Sequence, residues 1–130
     1  MANSQQMPVL PIDAYFSQAW FDREMETIFS RTWQFAGFIE DLADPGDYIT
    51  VQAGLNNILV LLDENRQMRA FHNLCRHRGT QLLRAVGKRK KFITCPYHDW
   101  TYNLEGELMG VPERKTQFPD LDLKNLRLYK

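Results

Sequence analysis

Both cysteines and two of the three histidines of this chain fall in two short stretches, Cys75-Arg76-His77 and Cys95-Pro96-Tyr97-His98. As spacing this is C-x-H, then 17 residues, then C-x-x-H. Two thiolates and two imidazoles are four soft or borderline ligands that two loop tips can aim at one place. Gly79 follows the first pair and permits a left-handed turn. Pro96 fixes φ directly after the second cysteine. Three readings are open. The cysteines can be buried and free, with two incidental histidines. The four can hold a structural zinc, although zinc sites usually segregate their ligands as C-x-x-C and H-x-x-x-H pairs. Or they can hold a binuclear iron–sulfur cluster, with both thiolates on one iron and both imidazoles on the other. The mixed pattern, one cysteine and one histidine per loop, suits the third best.

These stretches must be positioned by something, and the flanking sequence reads as strands. Asp44-Pro-Gly-Asp47 is a turn, and Tyr48–Gln52 is β-branched and aromatic. Gly54–Asn57 is a second turn, Ile58–Leu62 a buried strand, Asp63–Asn65 a third turn and Gln67–Phe71 an alternating strand. Further strands are expected at Lys91–Thr94, Trp100–Tyr102 and Glu107–Met109, with Asn103–Gly106 as the turn between the last two. Leu126–Tyr129 alternates like one more strand. Ahead of this lies an arm to about residue 11. Asp13 or Ser17 is placed to cap a short helix, and the next stretch, Trp20–Trp33, reads as helical. Phe21, Met25, Ile28, Phe29 and Trp33 fall at helical spacing, as expected of a face packed on a core.

Composition narrows the function classes. The 130 residues fit one modest domain, with 44% hydrophobic and 25% charged residues. No run is apolar enough for a membrane span, and Met1–Gln6 lacks a signal-peptide layout. Two cysteines make no disulfide framework. The expected setting is cytoplasmic, with no membrane partner. The net charge of zero hides a split: residues 1–65 hold 2 Lys/Arg and 10 Asp/Glu, giving −8. Residues 66–91 hold 9 Lys/Arg and no acid, giving +9, and residues 92–130 hold 5 and 6, giving −1. Nucleic-acid binding is not expected, because the aromatics lie outside the basic stretch and acidic flanks bracket it.

Asn73-Leu-Cys75-Arg-His77-Arg-Gly79 and Cys95-Pro-Tyr97-His98-Asp-Trp100-Thr-Tyr102 resemble the two ligand loops of Rieske domains. The Cys-x-His-Arg-Gly form is similar to that of the α subunits of Rieske non-heme iron oxygenases, which act on aromatic rings or quaternary amines. The stretch with Glu26-Thr-Ile-Phe29, Trp33 and Gly37 resembles those subunits too, so the likeness runs from about residue 12 to the end. It implies a mainly β chain: a Rieske-type antiparallel β-sandwich with two cluster-binding loops, preceded by a short N-terminal helix. The arm and helix would occupy 1–40 and the Rieske domain 41–130. It implies that Cys75 and Cys95 hold one iron and His77 and His98 the other, that Trp100 shields the cluster, and that His72 is no ligand. The cofactor is then a [2Fe–2S] cluster. A mononuclear Fe(II) is expected only in a C-terminal catalytic domain that this chain lacks.

The function implied is one-electron transfer within an oxidoreductase, the chain alone being catalytically incomplete. Its partners would be a ferredoxin or flavoprotein reductase as donor and an oxygenase catalytic domain, own or neighbouring, as acceptor. A self-standing Rieske-type ferredoxin and a zinc-stabilised interaction module are the alternatives. Two departures from related patterns bear on the chemistry. Asp99 stands where the family usually has Gly or another small residue. The extra loop cysteines and the serine of respiratory Rieske proteins are missing, Trp100 occupying the region of that serine. Fewer hydrogen bonds to sulfur imply a potential near the low end of the Rieske range, on the order of −150 mV.

Overall fold

The structure is a computed structural model and describes residues 9–130; the first part of the N-terminal arm lies outside the described residues. Two antiparallel sheets carry the fold. The first runs β1 (Tyr48–Ala53), β2 (Asn56–Leu62), β3 (Met68–His72) and β4 (Val86–Gly87), in the order β3-β2-β1-β4. The second runs β5 (Ile93–Thr94), β6 (Thr101–Tyr102) and β7 (Leu108–Gly110) in sequence order. The register of β1 on β2 sets Tyr48 opposite Leu61 and Val51 opposite Ile58, and β3 follows with Phe71 opposite Leu59.

Alternation divides the first sheet into two apolar faces. Tyr48, Leu59, Leu61 and Phe71 point into the main core, where they meet Ile93, Trp100, Tyr102, Leu104 and Leu108 from the second sheet and its turns. Ile49, Val60 and Leu62 point the other way and are covered by Leu42. Leu42 comes from a 3₁₀ turn, Ile39–Leu42, held by Asp41, whose carboxylate accepts the Phe38 N–H at 2.9 Å. A strand covered on both sides reads as a continuous apolar run, which is what Ile58–Leu62 is. The expected turns form at their places; Gly106 N–H donates to Asn103 O at 3.1 Å and closes the β6–β7 hairpin.

Three expectations are corrected. The helix is α1 (Gln18–Glu24), continued by one π-helical stretch over Met25–Phe29, and it stops short of Trp33. Ser17 precedes it, but no side chain caps it. Its apolar stripe packs on no core: Phe21 is 49% and Ile28 48% exposed, and Trp33 is fully exposed. Helical periodicity reports an amphipathic face, and the described residues offer this one no partner layer. The segment Leu126–Tyr129 is not a strand. Its bonds run to two different places, Leu128 N–H to Gly106 O and Tyr129 O from His72 N–H, both at 2.8 Å, so no ladder forms. Finally, β4 falls in the basic stretch where no strand is expected; two residues carry no periodic signal, and its pairing to Tyr48 and Ile49 is tertiary.

Candidate metal centre

The two cysteine–histidine loops have the same construction. The first joins β3 to β4 and the second joins β5 to β6. In the first, Cys75 N–H donates to Thr80 O at 2.8 Å and Gly79 N–H donates back to Cys75 O at 2.9 Å. In the second, Cys95 N–H donates to Trp100 O at 2.9 Å and Asp99 N–H donates to Cys95 O at 3.1 Å. The fourth residue after each cysteine is left-handed, Gly79 with φ +69° and Asp99 with φ +54°. This accounts for Asp99. The site demands a left-handed residue, which is why Gly suits it. Aspartate is among the few side chains that enter this region at low cost.

The first loop is braced from behind by Asn73, which is wholly buried. Its Nδ2 donates to Asn57 Oδ1 at 2.8 Å and to Leu83 O at 2.7 Å, and its Oδ1 accepts from Leu83 N–H at 3.0 Å. This fixes both ends of the loop to the same side chain.

The four candidate ligands sit on these two loops as a pair of thiols and a pair of imidazoles. Cys75 and Cys95 are both buried and free of any disulfide. The rings of His77 and His98 lie 4.8 Å apart between centroids, at 66° to one another. Aromatic faces hold both rings: Trp100 stacks on His77 at 4.6 Å and 8°, and Tyr97 on His98 at 3.8 Å and 30°. Phe118 presents its edge to both His77 and Trp100 at 6.0 Å. The buried Nδ1 of His98 has no hydrogen-bond partner. A buried unpaired nitrogen in a polar loop is costly unless something else occupies its lone pair. Together with two buried thiols, that orphan fits an electron-deficient metal. Burial holds the His77 imidazole below its ordinary pKa, helped by the positive potential of His98 and Arg78. The neutral imidazole is the form that ligates.

The sequence reading missed Tyr102. Its hydroxyl accepts the Arg76 N–H at 3.0 Å and lies 3.3 Å from Cys75 Sγ. With its oxygen occupied by an amide, the hydroxyl hydrogen is free to point at sulfur. Burial, and then the neighbouring thiol, push the Tyr102 pKa well up, so it stays a donor. Trp100 and Tyr102, two residues apart, both point into the main core, but nothing local marks the tyrosine hydroxyl as part of the site. His72 ends β3, opposite Ile58.

The Rieske [2Fe-2S] domain family matches residues 32–127. The chain belongs to that family. The Rieske fold is also seen in solved structures. A quaternary ammonium Rieske monooxygenase in complex with L-carnitine is 37% identical with a TM-score of 0.80, covering 90% of this chain and 33% of that one. A naphthalene 1,2-dioxygenase with bound indole is 36% identical with a TM-score of 0.77, covering 84% and 25%. Among curated relatives, the oxygenase subunit of carnitine monooxygenase from Acinetobacter baumannii is 44% identical over 94 residues. The biphenyl 2,3-dioxygenase subunit alpha from Rhodococcus jostii is 37% identical over 107 residues. This Rieske chain covers 25% and 23% of their lengths, so it spans about a quarter of the curated relatives it matches. Its homologues are Rieske oxygenase α subunits, and its cofactor is the Rieske [2Fe–2S] cluster.

Proposed function

We propose that Cys75 and Cys95 hold one iron of the cluster, and His77 and His98 the other. We also propose that the chain is the electron-transfer part of an oxygenase acting on quaternary amines or aromatic rings. The observation that carries the ligand assignment is the pair of matched loops. They bury two free thiols and set two imidazoles side by side, one with its Nδ1 buried and unpartnered. A single zinc fits less well. Among the described residues, no three His, Cys, Asp or Glu side chains close on one point that could hold a metal ion.

The bound cluster supplies one-electron chemistry. The chain's residues set the terms on which it does so. Two thiolates and two neutral imidazoles leave the oxidised centre uncharged and the reduced centre at −1, easier to reach than with four thiolates. Tyr102 gives a hydrogen bond to one thiolate side. Trp100 stacks on one face of the His77 ring and Phe118 packs at its edge. The outer imidazole edges face a groove of about 380 Å³ lined by Asp99, Glu113, Gln117 and Phe118.

With His77 and His98 assigned, one histidine remains in the chain. A 2-His-1-carboxylate iron site that activates O₂ therefore takes its ligands from a further catalytic domain. Residues 1–40 are read as a leader and 41–130 as the Rieske domain. The leader's exposed apolar side chains, Trp33, Ile12 and Phe16 among them, favour this arrangement over a self-standing ferredoxin, since a carrier gains nothing from an uncovered apolar face. A ferredoxin or flavoprotein reductase is the proposed donor. No helix among the described residues is long and apolar enough to cross a membrane, and a cytoplasmic setting is proposed.

The test is spectroscopic. Protein purified after expression with iron and sulfide should be brown. It should contain iron and acid-labile sulfide in equal amounts and give a Rieske electron paramagnetic resonance signal on reduction. Cys75→Ser and His98→Ala should each abolish that signal. A colourless, zinc-containing protein refutes the assignment.

A further inference from the structure

We infer that Arg76 is a positioning residue for the first ligand loop, acting as a clamp between that loop and the segment Leu126–Tyr129. The inference rests on the ligand assignment above. Arg76 sits between Cys75 and His77, and it is engaged from two sides. Its backbone N–H donates inward to the Tyr102 hydroxyl at 3.0 Å. Its side chain turns outward. There Nη1 donates to the Arg127 carbonyl at 2.6 Å, and the guanidinium lies over the Tyr129 ring, 3.9 Å from its centroid.

The segment it grips is itself fixed. Leu128 is buried in the main core, and its N–H donates to Gly106 O at 2.8 Å. Tyr129 O accepts the His72 N–H at 2.8 Å. Arg127 sends its own side chain back to the β6–β7 hairpin, to Glu105 O at 3.3 Å and Glu107 at 3.6 Å. The segment thus bridges the end of β3, the hairpin turn and the ligand loop, and Arg76 is the only one of these links made by a side chain of that loop.

The geometry suits arginine in particular. A planar guanidinium can donate to a carbonyl in its plane while its face rests on an aromatic ring; an ammonium cannot do both. The peptide between Cys75 and His77 is then held from inside by Tyr102 and from outside by Tyr129 and the Arg127 carbonyl. Between them these contacts fix how His77 leaves the loop, and so the ring orientation that Trp100 stacks upon. An arginine that counts as one charge of a basic stretch works here as a strut.

The experiment compares the iron- and sulfide-loaded protein with Arg76→Lys, Tyr129→Leu and the double variant. Lysine keeps the charge and gives up the planar face. Leucine at 129 leaves the Arg76 charge in place and removes the ring beneath it. Each single variant should speed the loss of iron to a chelator by about three- to tenfold, the factor expected from an exposed cation–π contact and one charged hydrogen bond. Each should also alter the g-value spread of the reduced cluster. The double variant should match the larger single effect, because both cut one clamp. Unchanged spectra and iron loss in both single variants overturn the proposal. A lower melting temperature with unchanged spectra and iron loss overturns it too, since general packing then explains the contact. Failure of the ligand assignment is separable, because the unsubstituted protein would already lack the cluster signal.

Discussion

Replacing Tyr102 by Phe isolates one hydrogen bond to the cluster side of the fold. The ring is fully buried and Phe fills the same volume. Only the hydroxyl is lost, with its 3.3 Å contact to Cys75 Sγ. A hydrogen bond to a thiolate strengthens as sulfur gains electron density, so it favours the reduced state. A hydrogen bond of this kind contributes roughly 1 kcal/mol net, within a range of about 0.5–1.5. For a one-electron couple, 59 mV corresponds to about 1.4 kcal/mol. The midpoint potential of Tyr102→Phe should therefore fall by about 40 mV, within roughly 20–65 mV. A redox titration followed by the reduced-state electron paramagnetic resonance signal measures it. The Arg76 N–H also loses its acceptor, so stability should fall by about 1–2 kcal/mol in urea. A potential that is unchanged or rises, in a protein that still binds its cluster, refutes the reasoning.

Three other substitutions probe the scaffold. Asn73→Ala removes three hydrogen bonds. Leu83 O keeps Gln81 Nε2 at 3.0 Å, but Leu83 N–H is left buried and unpaired, so urea denaturation should show a loss of about 2–3 kcal/mol. Gly46→Ala sets a Cβ 2.0 Å from Lys90 O at a backbone φ of +82°; the strand-like contact of Lys90 with the turn must break, and chemical denaturation should show a loss above about 3 kcal/mol. Asp63 has a fully buried side chain and accepts from Asn65 N–H at 2.9 Å, Gln67 N–H at 2.7 Å and Arg69 Nε at 2.8 Å. Burial alone would raise its pKa; these bonds outweigh it and hold the carboxyl below its ordinary 3.8. A depressed folded value means stability present above about pH 4 and lost as pH falls through the folded pKa. Urea denaturation from pH 6 to pH 2.5 should show that decline, and Asp63→Asn should flatten it; an equally steep decline in the variant would assign it to other groups.

The two cysteine–histidine loops and the first three strands were legible because their signals are local. Spacing places Cys75, His77, Cys95 and His98, and alternation or a continuous apolar run marks β1, β2 and β3. What was not legible depends on partners distant in sequence. The two residues of β4 become a strand only because Tyr48 and Ile49 pair with them. Leu126–Tyr129 alternates genuinely, yet its neighbours are a strand end and a turn, so it bonds at single points. The periodicity of α1 marks a helix but not a packed one, because periodicity reveals a face and not what meets it. Tyr102 escaped for a different reason: a tyrosine in a strand is ordinary, and only the loop folding back brings Arg76 and Cys75 to its hydroxyl.

The charge split gains its meaning from the same folding. The acidic first half and the basic stretch neutralise each other where β4 meets the turn after the 3₁₀ segment. Lys88 reaches Asp47 at 3.2 Å and the Asp41 carbonyl at 2.7 Å, and Arg89 pairs with Asp44 at 3.0 Å. Arg69 pairs with Asp63, Arg66 donates to Ala43 O, and Arg76 is spent on the clamp. Nine cations thus reduce, among the described residues, to Arg78, Arg84, Lys90 and Lys91, whose side chains make no hydrogen bond or ion pair. A donor with an acidic face would find these four rather than a continuous basic surface. Charge-steered association of that kind slows as salt rises. Reduction by such a donor should weaken with ionic strength, and Arg78→Gln should blunt that dependence while Arg89→Gln, already neutralised by Asp44, should leave it unchanged. Equal effects from both would mean that the paired and unpaired charges act as one field, and that the internal ion pairs do not select the docking surface.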